Sequence, residues 1–380
     1  MTRSPAKGSL PSLFAIVIVD LIGFGVVIPI LPFYAESYGA SATVLGLLLT
    51  CFAAAQFLFA PVWGRCSDRW GRRPVMLVTI AGTAVSLVLL GAADSLLWLF
   101  VARVLGGVFG ANISVASAYI TDVTEESERT KYMGLLGASF AVGFILGPAI
   151  GGGLAPFGYD VPIFFAAGLA ALNFVVACFQ LREPQRLAQA PSRRKRFQLP
   201  QNPRVRLLCL AYFFFVFGIS QLETVFAFFM MDRFQWNATE VAFILVFLGV
   251  LMAGIQGGAI RPLSRKFGER RLLLIGTAMV GPTLVLVPFM ATVWWMLLPL
   301  ALSSIGRGLV HPSLLSLVSR AAEPQERGFV MGAFQSSASA ARVFGPLAAG
   351  ALYDVRLDYP FLLAGVLMVL VFALSVRLEA

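Results

Sequence analysis

Long apolar stretches recur along the whole chain and are separated by short polar connections. Most are about 20 residues long, the length of a helix that crosses the hydrocarbon core of a bilayer. The third and fourth stretches are separated only by the segment AADS at 92–95. The pattern predicts twelve membrane-spanning helices, at residues 10–34, 42–63, 74–93, 96–120, 131–154, 161–181, 205–231, 238–260, 270–290, 293–319, 327–353 and 358–377.

The overall composition agrees with this pattern. Of the 380 residues, 58% are hydrophobic and 13% are charged, and the mean hydropathy is +0.84. A water-soluble protein of this size could not cover so much apolar surface with polar groups. We therefore expect an all-α membrane protein. The loops are too short for the extramembrane domains that a non-transporting receptor would need.

The basic residues predict the orientation of the spans. The net charge is +10, and with the N-terminus inside, 24 of the 29 Lys and Arg residues fall on the cytoplasmic side. Only Arg233 and Arg356 lie on the opposite side. This asymmetry follows the positive-inside rule and places both termini in the cytoplasm, with the plasma (inner) membrane as the expected location. The basic excess is then topological, with anionic lipid headgroups rather than nucleic acid as partners.

Few residues offer catalytic or metal-binding chemistry. The chain has one histidine, and its four cysteines lie far apart in or beside predicted spans, at Cys51, Cys66, Cys178 and Cys209. No ATP-binding loop of the G-x-x-x-x-G-K-[ST] type occurs. We expect neither an enzyme nor a cofactor or metal site, and an ion gradient as the energy source. The first apolar run lacks a small-residue cleavage site, so we expect it to stay as the first helix.

The chain repeats itself. The segment ending at Gly134 (SERTKYMG) returns as QERGFVMG ending at Gly332, and the pair at 147–148 returns at 345–346, both at an offset of 198 residues. The segment 68–73 (DRWGRR) is echoed by 265–270 (RKFGER). This predicts two six-helix bundles, at 1–181 and 207–380, joined by a basic cytoplasmic linker at 182–206. A transporter that alternates access around a midplane site uses such a duplication.

Three motifs carry a resemblance to a known family. They are GRCSDRWGRRP after span two, Arg103 within ARVLGGVFGA of span four, and GFILGPAIGG in span five. Together they resemble the signature motifs of the major facilitator superfamily, and the span-five motif resembles that of its drug:proton antiporter branch. With DLIGFGVVIPILP in span one, the chain is similar to the tetracycline-efflux group in particular. The resemblance implies the major facilitator fold, a monomer, and multidrug efflux with antibiotic resistance.

The loop after span two has two interpretations. Its arginines are explained by topology alone, but its acid, Asp68, is not. The resemblance implies that Asp68 faces the N-terminal end of a helix in the other half, as a latch worth about 0.3–1 kcal/mol and up to about 2 kcal/mol when partly buried. The gating residues under this hypothesis are Gly64, Asp68, Arg69, Gly71, Arg72 and Arg73. The second copy has Arg265 in place of the acid, so the latch would be one-sided.

Span five carries a face of small residues. Glycines at four-residue spacing allow two helices to meet backbone to backbone, and a proline bends the helix. The resemblance implies that this contact also seals the site against leak during exchange. The residues of this motif are Gly143, Gly147, Pro148, Gly151 and Gly152.

Ionisable residues within the spans are the core of the functional hypothesis. Each costs about 2.5–3.5 kcal/mol on insertion scales, so such residues face a bundle interior or water. Desolvation favours the neutral form of an acid and a nearby arginine favours the anion, so such an acid can take and release a proton. Proton coupling is predicted for Asp20, Arg103 and Glu223, with Arg103 as the basic partner, although Asp20 paired permanently with an arginine is the structural alternative. Substrate-cavity candidates are Gln56, Asn112, Gln221, Gln256, Arg307, His311 and Arg342, each of which has a purely structural alternative.

One feature of the tetracycline-efflux group is absent from this sequence, and its absence affects the prediction of the substrate. The tetracycline-efflux group carries an acid in span nine, and the corresponding segment here, 272–286, has none. We therefore predict proton-coupled antiport of small amphipathic organic compounds, with small-molecule substrate and protons as partners, and do not predict tetracycline itself. A proton symporter or facilitator for a small metabolite is the alternative, and a non-transporting receptor is a remote one.

Overall fold

The protein is described by a computed structural model that covers residues 10–184, 201–323 and 326–379. All regular structure in these ranges is helical. The first seven helices are α1 (Leu10–Ser37), α2 (Ala42–Trp70), α3 (Arg72–Gly91), α4 (Leu96–Phe109), α5 (Asn112–Val123), α6 (Glu126–Leu154) and α7 (Asp160–Gln180). The second seven are α8 (Pro203–Phe234), α9 (Ala238–Gly254), α10 (Ile260–Phe267), α11 (Glu269–Leu286), α12 (Val293–Ala321), α13 (Arg327–Val355) and α14 (Tyr359–Val376).

These helices confirm the predicted all-α membrane fold. Within the described ranges, 11 helical segments are long and apolar enough to cross a membrane. The remaining predicted span, at 327–353, corresponds to α13. Most of the predicted linker, at 185–200, lies outside the described residues.

The chain divides into two compact units. The N-terminal unit comprises Met1–Gly39, Cys51–Arg194 and Asn237–Val246, and the C-terminal unit comprises Ala40–Thr50, Lys195–Trp236 and Phe247–Ala380. The first nine residues of α2 therefore belong to the C-terminal unit, and the start of α9 belongs to the N-terminal unit. The bundle boundaries predicted from the sequence repeat stay a prediction.

Corresponding helices pack together in both units. In the N-terminal unit α1 packs on α6 and α7, and α3 packs on α7 and α4. In the C-terminal unit α8 packs on α13 and α14, and α11 packs on α14 and α12. These four pairs match one to one when the chain is shifted by one repeat, as expected if the two halves share one design.

Two predicted spans contain a backbone irregularity. Span four breaks at Gly110 and Ala111, so that α4 and α5 are separate helices. Span eight contains a π-helical turn, Ile255–Ala259, between α9 and α10. Backbone irregularities inside membrane spans are tolerated where other groups satisfy the freed carbonyls, and they occur often at functional sites. The sequence pattern did not predict either interruption.

In each unit, hydrogen bonds also join the start of one helix to the end of another. In the C-terminal unit the Asp354 carboxylate, at the end of α13, accepts hydrogen bonds from the backbone N–H groups of Ala42 (3.1 Å) and Thr43 (3.0 Å). Asp354 thus caps the N-terminus of α2. In the N-terminal unit the Thr239 hydroxyl, at the start of α9, donates to the carbonyl of Gly152 on α6 at 2.7 Å.

Candidate functional site

The acid of α1, Asp20, is half-buried and lies against the break in span four. Asp20 Oδ1 accepts a hydrogen bond of 2.9 Å from the side-chain Nδ2 of Asn112. Asn112 is the first residue of α5, so Asp20 lies next to a half-helix N-terminus. That end of a helix carries a partial positive charge, and half-helix ends are where membrane transporters place their charged ligands. The structure thus brings together Asp20 and Asn112, two of the residues predicted from the sequence.

Side chains of α2 satisfy the carbonyls that the break leaves free. Gln56 Nε2 donates to the carbonyl of Gly110 at 2.5 Å, and Trp63 Nε1 donates to that of Val108 at 2.6 Å. An unsatisfied carbonyl in a dry environment is costly, and these two hydrogen bonds stabilise the interruption. Gln56, predicted to line the cavity, therefore has a structural role here.

Arg103 is buried, and no carboxylate of the residues that the structure describes is paired with it. Only 7% of its surface is exposed, and its Nε has no hydrogen-bond acceptor. Its guanidinium lies over the ring of Phe52, 4.1 Å from the ring centroid. Such a cation–π contact is worth about 2 kcal/mol when it is desolvated. Asp20 and Arg103 both lie in the described residues and no ion pair joins them, so their predicted partnership stays a prediction.

The C-terminal unit places its ionisable residues differently. Arg307 Nη1 of α12 and Glu223 Oε1 of α8 form an ion pair at 3.2 Å. The Arg307 side chain is 14% exposed, whereas the Glu223 side chain is 64% exposed. Glu223, one of the predicted proton carriers, is therefore neutralised by an arginine and is not desolvated.

The only histidine lies one helical turn from Arg307 and has an aromatic partner. His311 Nε2 and the hydroxyl of Tyr212 on α8 are 3.1 Å apart. The Tyr212 ring stacks on Phe334 of α13, with centroids 3.9 Å apart. His311 is thus brought together with a tyrosine that sequence reasoning missed. Arg342, also predicted to line the cavity, is exposed on α13.

The two remaining predicted glutamines occupy different environments. Gln221 is fully buried, and its Nε2 donates to the carbonyls of Phe217 and Gly345, each at 3.2 Å. It therefore joins α8 to α13, which is a packing role. Gln256 is half-buried and lies in the π-helical turn of span eight.

The glycines of span five pack directly against the backbone of α1. A Cβ atom at Gly147 would lie 2.5 Å from the Cα of Gly25, and one at Gly151 would lie 2.6 Å from the carbonyl oxygen of Val26. Gly143 meets α1 in the same way, and Gly147 and Pro148 are buried. No side chain larger than hydrogen fits on this face without a shift of backbone. The predicted close packing is present, and the predicted role as a seal stays a prediction.

Gly152, the last glycine of the motif, faces a different helix. A Cβ atom there would clash with the Cβ of Ala242 at the start of α9. Its carbonyl is the acceptor of the Thr239 hydroxyl. The motif of α6 thus has two contacts within the N-terminal unit, one with α1 and one with α9.

The loop between α2 and α3 turns at a glycine with positive φ. Gly71 has φ of +103°, and a Cβ atom there would lie 2.7 Å from Oε1 of Glu183. The Glu183 carboxylate accepts hydrogen bonds from the backbone N–H groups of Arg72 (2.7 Å) and Arg73 (2.8 Å), so it caps α3. The second loop repeats the turn, with φ of +77° at Gly268.

Arg72 organises the charged side chains of this loop. It pairs with Asp68 at 2.8 Å and with Asp122 of α5 at 2.7 Å, and its Nη1 donates to the hydroxyl of Ser67 at 2.6 Å. Only 7% of its surface is exposed. Asp68 is held by Arg72 here, and its predicted contact with a helix of the other half stays a prediction.

The other predicted loop residues have local contacts or face outward. Arg73 Nη2 donates to the carbonyl of Cys178 on α7 at 2.7 Å. The carbonyl of Gly64 accepts a hydrogen bond from Ser67 at 2.8 Å, and Arg69 is exposed.

Several residues important to this geometry were missed from the sequence. Phe52 pairs with Arg103, Glu183 with Arg72, Tyr212 with His311 and Asp354 with Ala42, each at least 50 positions away, so local patterns carry little signal for these contacts. For Phe52 one signal existed. Gly106 and Gly107 follow Arg103 by three and four positions, which leaves space for a ring on the same helix face.

Comparison with known proteins decides the family. The Major Facilitator Superfamily profile matches residues 13–261 and 258–379. The chain belongs to this superfamily.

Relatives within the superfamily are named for drug resistance. The chain is 35% identical over 350 residues to the tetracycline resistance protein, class G, of Vibrio anguillarum, which covers 89% of this chain and 88% of that protein. It is 32% identical to the class C protein of Escherichia coli, covering 92% and 90%. It is 30% identical to multidrug resistance protein 1 of Bacillus subtilis (strain 168), covering 95% and 94%.

Solved structures show the same fold. The human organic anion transporter MFSD10 (TETRAN) is 27% identical, with a TM-score of 0.74 over 98% of this chain and 100% of that chain. A bacterial homolog of the human lysosomal transporter Spinster has a TM-score of 0.83 at 16% identity, over 100% and 98% of the two chains. This superfamily member is therefore an integral membrane transporter and not an enzyme.

Proposed function

We propose that the protein exports small amphipathic organic compounds in exchange for protons by alternating access, with Asp20 as the proton carrier. The observation that carries the proposal is the environment of Asp20. This carboxyl group lies in an apolar span, is held by the neutral amide of Asn112, and has no arginine paired with it in the described structure. An acid in that environment exchanges a proton at moderate pH more readily than one fixed in an ion pair.

The resistance relatives support the direction and class of transport. Proteins named for tetracycline and multidrug resistance match over nearly the whole chain. Inward movement of a proton supplies about 2.3 kcal/mol per charge for each 100 mV of membrane potential, before any pH gradient is counted. We place the protein in the plasma (inner) membrane with both termini in the cytoplasm, as the distribution of Lys and Arg predicts.

A second candidate is transport of an organic anion together with a proton. It is favoured by Arg103, a buried guanidinium that no carboxylate of the described residues neutralises. The similarity to a human organic anion transporter at 27% identity adds support. In this mode Arg103 would bind the anionic group of the substrate while Asp20 carries the proton.

Transport by reconstituted vesicles under an imposed pH gradient separates the candidates. The probes are tetracycline, a lipophilic cationic dye and an aromatic organic anion, tested with the parent protein and with Asp20→Asn. The exposed acid Asp94 gives the matched control, Asp94→Asn. Antiport predicts that probe and proton move in opposite directions, and symport predicts the same direction. Probe movement that is indifferent to the gradient would reject proton coupling and identify a facilitator.

A further inference from the structure

The guanidinium of Arg103 is held by an aromatic ring instead of an acid. It lies 4.1 Å above the centroid of Phe52, and its Nε has no hydrogen-bond acceptor. A buried arginine normally finds a carboxylate or carbonyl oxygen. The face of Phe52 therefore supplies the attraction that keeps this cation in place.

The sequence of α4 creates the space for this ring. Gly106 and Gly107 lie three and four positions after Arg103, on the same face of the helix. A Cβ atom at Gly106 would lie 3.4 Å from Cε2 of Phe52, and one at Gly107 would clash with the Phe52 carbonyl oxygen. The two glycines thus let α2 approach α4 closely enough for the ring to lie under the guanidinium.

The same ring also reaches the helix that carries the acid. Phe52 contacts Phe24 of α1, with centroids 5.9 Å apart, and Phe24 follows Asp20 by one helical turn. Asp20 itself is held by Asn112 at 2.9 Å. Asp20 and Arg103 therefore each have a neutral partner. Phe24 lies on the face of α1 that carries Asp20, and Phe52 lies against the face of α4 that carries Arg103.

We propose that Phe52 is a positioning residue for proton coupling: its ring holds Arg103 away from Asp20, so that Asp20 can take up a proton. The inference rests on the proposed proton carrier. When the ring is replaced by an aliphatic side chain, the guanidinium loses its cation–π partner and is expected to move toward Asp20, whose helix Phe52 also contacts through Phe24. Ionised Asp20 is then stabilised, and protons bind it more weakly.

Other ionisable groups are accounted for on the helices packed against α1. The described ones on α5, α6 and α7 include Tyr119, Asp122, Glu128, Arg129, Lys131, Tyr132 and Asp160. All of them are unchanged in the variants below, so a change in proton binding at Asp20 reports on Arg103 and Phe52.

The test is an infrared pH titration of the purified protein in lipid. The C=O band of protonated Asp20 is isolated as the difference between each protein and its Asp20→Asn version. Phe52→Met keeps the volume but removes the ring, and Phe52→Tyr keeps the ring. Phe57→Met, at an exposed position of α2, is the control.

We expect Phe52→Met to move the half-point of the band by roughly 1–3 pH units to lower pH. Phe52→Tyr and Phe57→Met are expected to titrate as the parent does.

A second variant excludes a purely structural effect. In Arg103→Gln no guanidinium is present, so adding Phe52→Met is expected to leave the half-point unchanged. A half-point in Phe52→Met equal to that of the parent would overturn the inference, as would an equal shift in the Arg103→Gln background. Phe52→Leu replaces Phe52→Met if the latter does not fold. Because this titration needs no substrate, a failed proton-coupling assay with the parent protein would reject the proposed function separately.

Discussion

In the two units, the charged residues of the membrane spans have different kinds of partner. In the C-terminal unit the arginine and the acid pair directly, with Arg307 and Glu223 joined at 3.2 Å. In the N-terminal unit Arg103 lies on Phe52 and Asp20 is bound by Asn112, so the two charges have separate neutral partners. A neighbouring arginine favours the ionised form of an acid, whereas an acid held by a neutral partner is not stabilised as the anion in this way. Under the proposed function, the N-terminal unit is therefore the one expected to exchange protons.

The largest expected effect comes from removing the acid of the N-terminal unit. Asp20→Asn keeps the hydrogen-bonding shape but cannot release a proton, so gradient-driven accumulation of a probe is expected to be lost. For a driving force of 100 mV this is roughly a fifty-fold loss of accumulation, because about 2.3 kcal/mol per proton is no longer coupled. The measurement is uptake by vesicles, with Asp94→Asn as the control. Accumulation by Asp20→Asn equal to that of the parent would rule out Asp20 as the carrier.

The next effect tests corresponding glycines in the two units. Gly147→Ala places a methyl group 2.5 Å from the backbone of Gly25, and α1 cannot give way without moving. At Gly345, one repeat later, a Cβ atom would meet the Ser220 hydroxyl, which can rotate, and the Ser220 Cβ at 2.9 Å, which needs only a small shift. We expect Gly147→Ala to lower the free energy of unfolding by about 1–3 kcal/mol and Gly345→Ala by less.

Thermal unfolding of the purified variants measures this difference. Gly153→Ala is the control, since nothing lies within 4 Å of a Cβ atom at that position of α6. A larger loss for Gly345→Ala than for Gly147→Ala would contradict the account of the α1–α6 contact.

A smaller effect is expected from the acid of the C-terminal unit. Glu223→Gln removes the partner of Arg307, but the Glu223 side chain is 64% exposed, so water replaces much of the lost attraction. We expect a loss of about 1 kcal/mol or less in unfolding free energy and retention of gradient-driven transport. Vesicle uptake and thermal unfolding measure the two quantities. Loss of coupling in Glu223→Gln with coupling intact in Asp20→Asn would reverse the roles given to the two units.

The smallest effect is expected at the hydrogen bonds made by the start of α2 and by the start of α9. The one in the C-terminal unit is ionic, from Asp354 to the N-terminus of α2, whereas the one in the N-terminal unit is a neutral hydrogen bond from Thr239. Asp354 lies just beyond the predicted span. Its partial burial disfavours the charge, but hydrogen bonds from Thr43, Ser41 and Ala42 outweigh this and lower its pKa below the ordinary value of 3.8.

Because this pKa is lowered on folding, the stabilisation is present at pH 6. It is lost as the pH falls below the ordinary value of 3.8. Asp354→Asn is expected to reduce the protection of the Thr43 amide at pH 6 about twofold to fivefold, corresponding to about 0.3–1 kcal/mol. Hydrogen exchange at pH 6 and pH 3, corrected for intrinsic rates, measures the effect. The Thr239 amide, which donates to Asn237, serves as the control. Equal protection of Thr43 at both pH values would show that the carboxylate charge is not used.

The sequence predicted the helices and the repeat because their signals are strong and local. Apolar runs of span length and recurring motifs at a constant offset require no knowledge of contacts. The ionisable residues Asp20 and Glu223 were found for the same reason, since charge within an apolar run is rare.

The partners of these residues could not be predicted, because each contact joins helices far apart in sequence. The glycines after Arg103 leave space for a ring but do not identify Phe52 as that ring, and the break at Gly110 depends on hydrogen bonds from Gln56 and Trp63 of α2. The same holds for Glu183, which caps a helix 110 residues before it. The sequence identifies which residues can carry charge, whereas the packing of the helices determines which of them are paired.

Direct observation of a proton on Asp20 is the most stringent test of the difference between the units. Infrared titration of the parent protein in lipid is expected to show a protonated carboxyl band that develops as the pH is lowered. The band should be absent from Asp20→Asn and present in Glu223→Gln. A band that persists in Asp20→Asn and disappears in Glu223→Gln would contradict the account and assign the proton to the C-terminal unit.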